Sequence, residues 1–279
     1  MLYVMELAIF SKESLSSHPR KVELTENLKV LGFDVISANE CGACDGADCL
    51  LVFGGDGTML TAATTFDLPI LGVNLGNVGF LTQFESSVTA EDIAKAVKCG
   101  KVMTRSLIET EVEDTMLVAL NDLTVKSTTA RPITLSVSVD GQFVDKYHAD
   151  GIIVSTPTGS TAYSLSAGGP VLAPDVDAMV INPICPHSLH SRTLVVSGDS
   201  TVEITVDDEG AVVFADSENC ANVTNTIKIK KSSKTARFID VDKRDFYNKL
   251  LEKMNRWGTT CLPMFGGFNG KSIKTTQDS

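Results

Sequence analysis

Two patterns of hydrophobic and polar positions divide the chain. Up to about residue 103, short apolar runs alternate with longer stretches of helical spacing, which is typical of a parallel α/β layer. From about residue 104 the period changes to two, as at Ile133, Leu135, Val137 and Val139, which predicts antiparallel strands with one buried face. The sequence therefore predicts an α/β domain followed by an all-β domain.

The same patterns locate individual elements. Asp140-Gly141 is typical of a hairpin turn, and a helix near Asp245 is predicted to carry Phe246, Leu250 and Met254 on one face. Residues 266–279 read as a flexible tail. In the first domain, strands are predicted at 5–10, 33–37, 50–53 and 70–73, and helices near 14–31 and 90–98; in the second, strands at 133–139, 152–154, 202–206 and 227–229.

Composition argues against several classes of partner. The net charge is −11, and the lysines and arginines form no long stripe, which argues against nucleic acid. No apolar run approaches the roughly 20 residues of a membrane span, and the N-terminus shows no signal peptide. We expect a cytoplasmic protein with no membrane partner.

Seven cysteines are scattered along the chain. Cys41 and Cys44 have the spacing of zinc ligands or a redox pair, and Cys49 is near them. A structural zinc needs four ligands, and no second close pair or local histidine completes the set. We predict reduced thiols and no protein-held metal. The cysteines are Cys41, Cys44, Cys49, Cys99, Cys185, Cys220 and Cys261.

Glycine-rich turns carry the candidate chemistry. The run Gly54-Gly55-Asp56-Gly57-Thr58 follows an apolar strand, and its N–H groups can surround phosphate oxygens because no Cβ blocks the approach. Asp56 is poorly placed among such donors unless it acts as a base or a metal ligand; the alternative is a tight turn with a solvated carboxylate. In residues 156–161, four hydroxyls precede a helix start. They suit the polar edges of a nucleotide, whereas a capping turn needs only one or two.

With these segments in view, the chain resembles the bacterial NAD kinase family almost end to end. The glycine turn is shared with lipid kinases and phosphofructokinases, whereas residues 156–170 are far more specific. The other matching segments are Asn74-Leu75-Gly76, Gly79-Phe80-Leu81, Asn121-Asp122, residues 181–189 and Arg256-Trp257-Gly258.

The resemblance implies a fold and a reaction. Residues 1–103 would form a Rossmann-like parallel sheet completed by residues 240–265, whose helix returns to it. Residues 104–239 would form a dinucleotide-binding β-sandwich. The γ-phosphate of ATP would pass to the 2′-hydroxyl of the adenosine ribose of NAD, giving NADP and ADP. The loose transition state requires positioned groups and countercharge. Because the chain has no complete Walker motif, Gly-x-x-x-x-Gly-Lys followed by Ser or Thr, we expect Mg²⁺ carried by ATP to supply much of this countercharge.

Asp56 is the predicted catalytic residue, as the base or orienting group for the attacking hydroxyl. A homodimer or homotetramer is implied by the family. Gly54, Gly55, Gly57 and Thr58 are predicted to bind the ATP phosphates. Asp56, Gly57, Asn121, Asp122, His148, Asp150, Thr161, Ala162, Tyr163, Ser164, Leu165 and Ser166 are implied to bind NAD.

Three positions depart from the family pattern. Asp122 replaces the family's longer Glu, His148 lies where the family often has Arg, and Glu218 lies where it commonly has Gln. These departures leave a non-catalytic dinucleotide sensor open, and the shared glycine turn leaves a lipid kinase open. Structural roles also stay open: a turn or cap for Asn121-Asp122, a surface or core position for His148, and a packed aromatic for Tyr163. ATP or polyphosphate as donor, and NAD or NADH as acceptor, are likewise undecided.

Overall fold

A computed structural model describes residues 4–38, 44, 46–76 and 79–241, together with 246, 247, 250, 251 and 255. Strands β1 to β4 are parallel and lie in the order β2-β1-β3-β4. All five residues of β3 are buried, as expected for a strand covered on both faces. The elements are β1 (Glu6–Ser11), α1 (Pro19–Val30), β2 (Asp34–Ser37), β3 (Cys49–Phe53), α2 (Asp56–Thr65), β4 (Pro69–Val73) and α3 (Ala90–Cys99).

Two differences from the predicted helices have local causes. The helix expected near 14–31 begins only at Pro19, because His18 is its N-cap and accepts the Arg20 N–H, while Glu13–Leu15 form a separate 3-10 turn. Helix α2 was not predicted. It begins at Asp56, directly after the glycines, and buries Met59, Ala62 and Ala63 in one core with Leu50 and Val52.

The rest of the chain up to Val241 is dominated by antiparallel strands, and the predicted Asp140-Gly141 hairpin is confirmed. Six strands form a separate, wholly antiparallel sheet in the order β12-β11-β10-β7-β14-β15. The elements are β5 (Lys101–Val112), β6 (Thr115–Ala119), β7 (Asp122–Ser127), β8 (Ile133–Val139), β9 (Gln142–Ala149), β10 (Gly151–Ser155), the 3-10 turn Gly159–Thr161, α4 (Tyr163–Ser166), β11 (Ala178–Ile184), β12 (Leu194–Ser197), β13 (Val202–Val206), β14 (Ala211–Ala215), β15 (Asn219–Val223) and β16 (Thr226–Asp240).

The long strand β16 connects the parallel layer to antiparallel strands. Its Arg237 and Phe238 pair in parallel with β4, its first residues pair antiparallel with β13, and β5 runs antiparallel along most of its length. A mixed ten-stranded sheet results, and one hydrophobic core packs side chains from both sheets. The chain up to Val241 thus combines a mixed sheet with a separate antiparallel sheet.

A second unit begins at Asp242, and its described residues 246, 247, 250, 251 and 255 are helical. The rest of the helix predicted near Asp245, including Met254, lies outside the described residues. So do residues 256–258, Cys41, Cys261 and the predicted tail at 266–279. Among the residues that the structure describes, no helix is both long and apolar enough to cross a membrane.

Candidate functional site

The glycine turn joins β3 to α2 through two residues, Gly54 and Gly55. Gly54 has φ 156°, and a Cβ built on it would lie 2.4 Å from the Thr58 Oγ1 atom, so the turn has no room for a larger residue there. Thr58 is buried beneath it. A Cβ on Gly55 would meet no described atom within 4 Å, and one on Gly57 would come no nearer than 3.6 Å. Packing therefore explains Gly54 but not Gly55 or Gly57.

Asp56 is the first residue of α2, and its carboxylate is held by a second loop. Its Oδ2 atom accepts the Phe80 N–H at 2.8 Å, and its Oδ1 atom accepts the Leu81 N–H at 3.0 Å. A Cβ on Gly79 would lie 2.0 Å from Asp56 Oδ1, so only glycine permits this close approach. The structure thus brings Gly79-Phe80-Leu81 onto the glycine turn and fixes the orientation of the Asp56 carboxylate.

The Asn121-Asp122 pair lies against two other segments. The Asp216 carboxylate accepts the N–H groups of Leu120, Asn121 and Asp122 at 2.8, 2.7 and 3.2 Å. On the other side, the Thr156 N–H donates to the Asn121 carbonyl at 2.9 Å. These bonds fix the backbone at the start of β7.

Gly159 allows the Thr156–Thr161 turn to approach Asn121. A Cβ on Gly159 would lie 2.0 Å from the Asn121 carbonyl oxygen. The Thr156 hydroxyl donates to the Leu120 carbonyl and accepts the Gly159 N–H. The Thr156 hydroxyl is therefore used for hydrogen bonds within the protein. The close approach of this turn to Asn121 brings the start of α4 toward β7.

Asp122 is the first residue of β7 and is buried, with an exposed fraction of 4%. Its Oδ1 atom accepts the Thr124 hydroxyl at 2.8 Å. Burial raises the pKa of Asp122 to about 6; the Thr124 hydrogen bond opposes the rise, and the Asp216 charge adds to it. Burial likewise raises the pKa of Asp216, against the three N–H bonds that stabilise its charge.

The predicted dinucleotide residues of α4 and its approach differ in exposure. Tyr163 is 38% exposed and Ser166 is exposed, whereas Ser164 is 0% and Thr161 7% exposed. Ala162 and Leu165 are half-buried. Burial raises the pKa of Tyr163, with further contributions from the nearby charges of Asp122, Cys185 and Asp150. Tyr163 therefore shares one region with Asp122 and Asp150.

His148 and Asp150 lie at the end of β9 and just after it, and both are exposed. The His148 ring meets the His187 ring edge to face at 4.8 Å between centroids. Its Nδ1 atom lies 3.4 Å from the Thr134 hydroxyl. The Asp150 N–H donates to the Ile184 carbonyl at 3.0 Å, which joins this corner to β11.

The turn between β14 and β15 connects the two halves of the site. Two residues after Asp216, the Glu218 carboxylate pairs with Lys12 Nζ at 3.0 Å and accepts the Thr61 hydroxyl at 2.9 Å. Partial burial raises the pKa of Glu218, but the bonds from Lys12 and Thr61 and the Lys12 charge outweigh it, so the pKa lies below its ordinary value. The sequence interpretation missed Lys12. Its position directly after a parallel strand is the signal that could have identified it.

Metal ligands are not gathered anywhere in the described part of the chain: no group of three or more His, Cys, Asp or Glu side chains there could hold an ion. Cys49 is a buried free thiol, and Cys99, Cys185 and Cys220 are exposed free thiols. Cys44 is buried.

Comparisons with known proteins agree on one family. The family models of the ATP-NAD kinase N-terminal and C-terminal domains match residues 4–102 and 120–241. The NAD kinase of Desulforamulus reducens is 40% identical over 238 residues, 80% of this chain and 81% of that protein. The NAD kinase of Natranaerobius thermophilus is 32% identical over 270 residues, 90% and 93% of the two chains.

Solved structures show the same fold. The crystal structure of an NAD kinase from Archaeoglobus fulgidus in complex with ATP is 31% identical with a TM-score of 0.79, covering 88% of this chain and 99% of that one. Yeast NADH kinase complexed with NADH shares the fold at 24% identity and a TM-score of 0.80, covering 99% and 91%. The resemblance in the motifs is therefore confirmed, and the chain belongs to the ATP-NAD kinase family.

Proposed function

We propose that Asp56 orients or deprotonates the 2′-hydroxyl of the adenosine ribose of NAD while the glycine turn holds the phosphates of ATP. The chain is an NAD kinase, an enzyme that phosphorylates NAD with ATP and so yields NADP and ADP. One observation supports this role of Asp56: both oxygens of its carboxylate accept backbone N–H groups at the place where the glycine turn contacts residues 79–81.

The geometry of Asp56 suits a group that positions a hydroxyl. Each oxygen accepts one backbone N–H and keeps lone-pair capacity for a further donor. The two bonds prevent rotation of the carboxylate, so a hydroxyl that approaches it meets an acceptor already in place. Such preorganisation is how a protein contributes to a phosphoryl transfer whose transition state is loose.

The donor site is proposed to be Gly54, Gly55, Gly57 and Thr58. A helix N-terminus presents unpaired N–H groups and a positive partial charge, which favours phosphate. Gly55 and Gly57 have no packing reason to be glycine, which supports a close approach by a ligand. Thr58, buried under Gly54, would stabilise the turn. We propose that Mg²⁺ arrives with ATP, because the described residues contain no group of three or more His, Cys, Asp or Glu side chains that could hold an ion.

The acceptor site is proposed to lie on the Asn121-Asp122 side of the Asp216–Glu218 turn, and the donor site on its other side. The exposed and half-buried members of the predicted set are suited to direct contact with NAD, and the buried members are suited to stabilising the backbone around that contact. Asp122, shorter than the family's Glu and almost fully buried, would act through a water. Direct contacts are proposed for Asp56, Gly57, Asn121, His148, Asp150, Ala162, Tyr163, Leu165 and Ser166; supporting roles are proposed for Asp122, Thr161 and Ser164.

Other features of the proposal follow from the family resemblance. The α/β domain would comprise residues 1–103 as a Rossmann-like layer, completed by residues 240–265 through a returning helix, with residues 266–279 as a flexible tail. Residues 104–239 would form the β-sandwich domain. We propose a cytoplasmic homodimer or homotetramer.

One assay tests the reaction. Purified protein is incubated with ATP or polyphosphate and with NAD, NADH or a diacylglycerol, and release of ADP and formation of NADP or NADPH are measured. ATP-dependent formation of NADP is expected. ADP release with the lipid would identify a lipid kinase, and NAD binding without turnover would identify a sensor.

Asp56→Asn tests the catalytic role. The amide keeps the shape of the carboxylate but cannot accept a proton, so kcat should fall by at least about 10²-fold, while the Kd for NAD should change much less. Asp114→Asn, in the exposed β5–β6 turn, is the control and should retain parental kcat. Near-parental turnover in Asp56→Asn would remove Asp56 from the mechanism.

A further inference from the structure

The Glu218 carboxylate lies beside the first turn of α2, where the donor phosphates are proposed to bind. Its Oε1 atom pairs with Lys12 Nζ at 3.0 Å, and its Oε2 atom accepts the Thr61 hydroxyl at 2.9 Å. A Cβ built on Gly57 would lie 3.6 Å from Glu218 Oε1 and 3.8 Å from Lys12 Nζ. A carboxylate, an ammonium group and a helix N-terminus therefore meet at one point.

Lys12 reaches this point because of the sheet topology. It directly follows β1, whose last residue, Ser11, pairs with Phe53 at the end of β3. The carboxyl ends of parallel strands lie at one edge of the sheet, where ligands of open α/β folds bind. A second lysine, Lys21 in the first turns of α1, donates to the Ser11 hydroxyl at 2.8 Å. The edge that carries the glycine turn is thus also rich in positive charge.

Glu218 uses groups that are suited to a phosphate. An ammonium and a hydroxyl donate to its two oxygens, as they would to two phosphate oxygens, and charge-assisted hydrogen bonds of this kind are strong. Lys12 is 52% and Glu218 39% exposed at the side chain, so both can exchange partners in water. A phosphate carries more negative charge than a carboxylate and is therefore the stronger partner for the same cation.

We propose that Lys12 and Thr61 bind the phosphates of the donor, and that Glu218 competes for them, so that Mg–ATP binds by displacing the Glu218 carboxylate. The inference rests on the proposed role of the glycine turn as the donor site. It assigns to Lys12 the fixed positive charge that the absent Walker lysine would supply, and to Glu218 the control of donor affinity.

The competing explanation is a purely structural ion pair that ties the β14–β15 turn to the N-terminal layer. The two explanations predict different signs for the change in Mg–ATP affinity in the two variants. If the pair is only structural, removing either partner breaks the same contact, and both variants should affect ATP binding in the same direction. If Glu218 competes with phosphate, removing its charge should strengthen binding, whereas removing the Lys12 charge should weaken it.

The experiment measures the Kd of Mg–ATP by calorimetry for the parent, Lys12→Met and Glu218→Gln. Lys12→Met should raise the Kd by about tenfold or more, the typical effect of one charge-assisted hydrogen bond. Glu218→Gln should lower it by about threefold to fivefold, as expected when a like charge is removed near the phosphates. The Kd for NAD should stay within about twofold in both. Lys12→Arg, which keeps the charge, should restore most of the affinity.

Lys228→Met is the matched control, because Lys228 is also an exposed lysine, paired with Glu203 at 2.7 Å on the β13–β16 ladder; its Kd for Mg–ATP should equal that of the parent. Shifts of the same sign in Lys12→Met and Glu218→Gln, or no shift in either, would overturn the inference. If Lys12→Met does not fold, the Glu218→Gln Kd decides alone: a decrease supports competition, and an unchanged or higher value overturns it.

Gly57→Ala separates this inference from the proposed donor site. Weaker Mg–ATP binding in Gly57→Ala combined with a parental Kd in Lys12→Met would keep the donor site and overturn only the role of Lys12. A parental Kd in Gly57→Ala would place the phosphates away from the turn and overturn both.

Discussion

Asp122→Asn is expected to stabilise the protein in a manner that depends on pH. The Asp122 side chain is 4% exposed, and its Oδ1 atom accepts the Thr124 hydroxyl, which an Asn side-chain oxygen can also accept. Burial raises the pKa of Asp122 from 3.8 to about 6. The folded chain therefore keeps this proton to a higher pH than the unfolded chain does, and charging the buried group costs stability.

The size of the effect follows from the two pKa values. Well below the unfolded pKa of 3.8 both states are protonated, and the acid carries no charge penalty. As the pH rises through 4 to 6 the unfolded chain ionises first, so the penalty grows to about 1.5 kcal/mol at pH 5 and levels off near about 3 kcal/mol above pH 7. Asn carries no charge in either state, so Asp122→Asn should raise the free energy of unfolding by these amounts.

Urea unfolding at pH 5 and pH 8, followed by circular dichroism, measures the difference between variant and parent. Asp114→Asn, an exposed carboxylate in a turn, is the control, and its effect should be within about 0.5 kcal/mol at both pH values. A gain that is equal at pH 5 and pH 8, or a loss of stability at pH 8, would show that burial does not dominate the energetics of Asp122.

Two further predictions concern substrate binding. Gly57→Ala should fold normally and still bind NAD but lose phosphoryl transfer, whereas Gly54→Ala should lose stability because its Cβ would lie 2.4 Å from Thr58 Oγ1; a folded Gly57→Ala enzyme with parental kcat/KM for ATP would refute the phosphate cradle. Asp122→Ala should raise the KM for NAD more than the KM for ATP, because a water-mediated contact to the dinucleotide is lost. Unchanged KM values in steady-state assays would instead indicate that Asp122 only supports the start of β7.

Strands were predictable where burial follows the local pattern. Residues 133–139 alternate in sequence, and β8 alternates between buried and half-buried positions over most of its length. The apolar run that became β3 is buried at every residue. In contrast, α2 contains a glycine and four threonines, which are weak helix formers. It forms because the glycines end β3 and because Met59, Ala62 and Ala63 pack into a core that lies outside the local sequence.

Strand β16 shows a second limit of local pattern. Only its first residues, around Ile227 and Ile229, have clear alternation, and a register irregularity between Lys231 and Thr235 disturbs the period beyond them. Its partners β4, β5 and β13 come from three separate parts of the chain. No window of neighbouring residues contains that information, because the ladder is made of long-range hydrogen bonds.

The sequence by itself determined the chemical groups of the site: a glycine turn that admits phosphate, an aspartate within it, and a hydroxyl-rich turn before a helix. Tertiary structure decided which groups meet. Asp56 is 24 and 25 residues from the N–H groups that hold it, and Lys12 is 206 residues from Glu218. Backbone propensity acts over a few residues, whereas these contacts depend on the order of strands in two sheets. The residue types were therefore readable in advance, but the opposition of Lys12 and Glu218 at the phosphate turn emerged only from the folded chain.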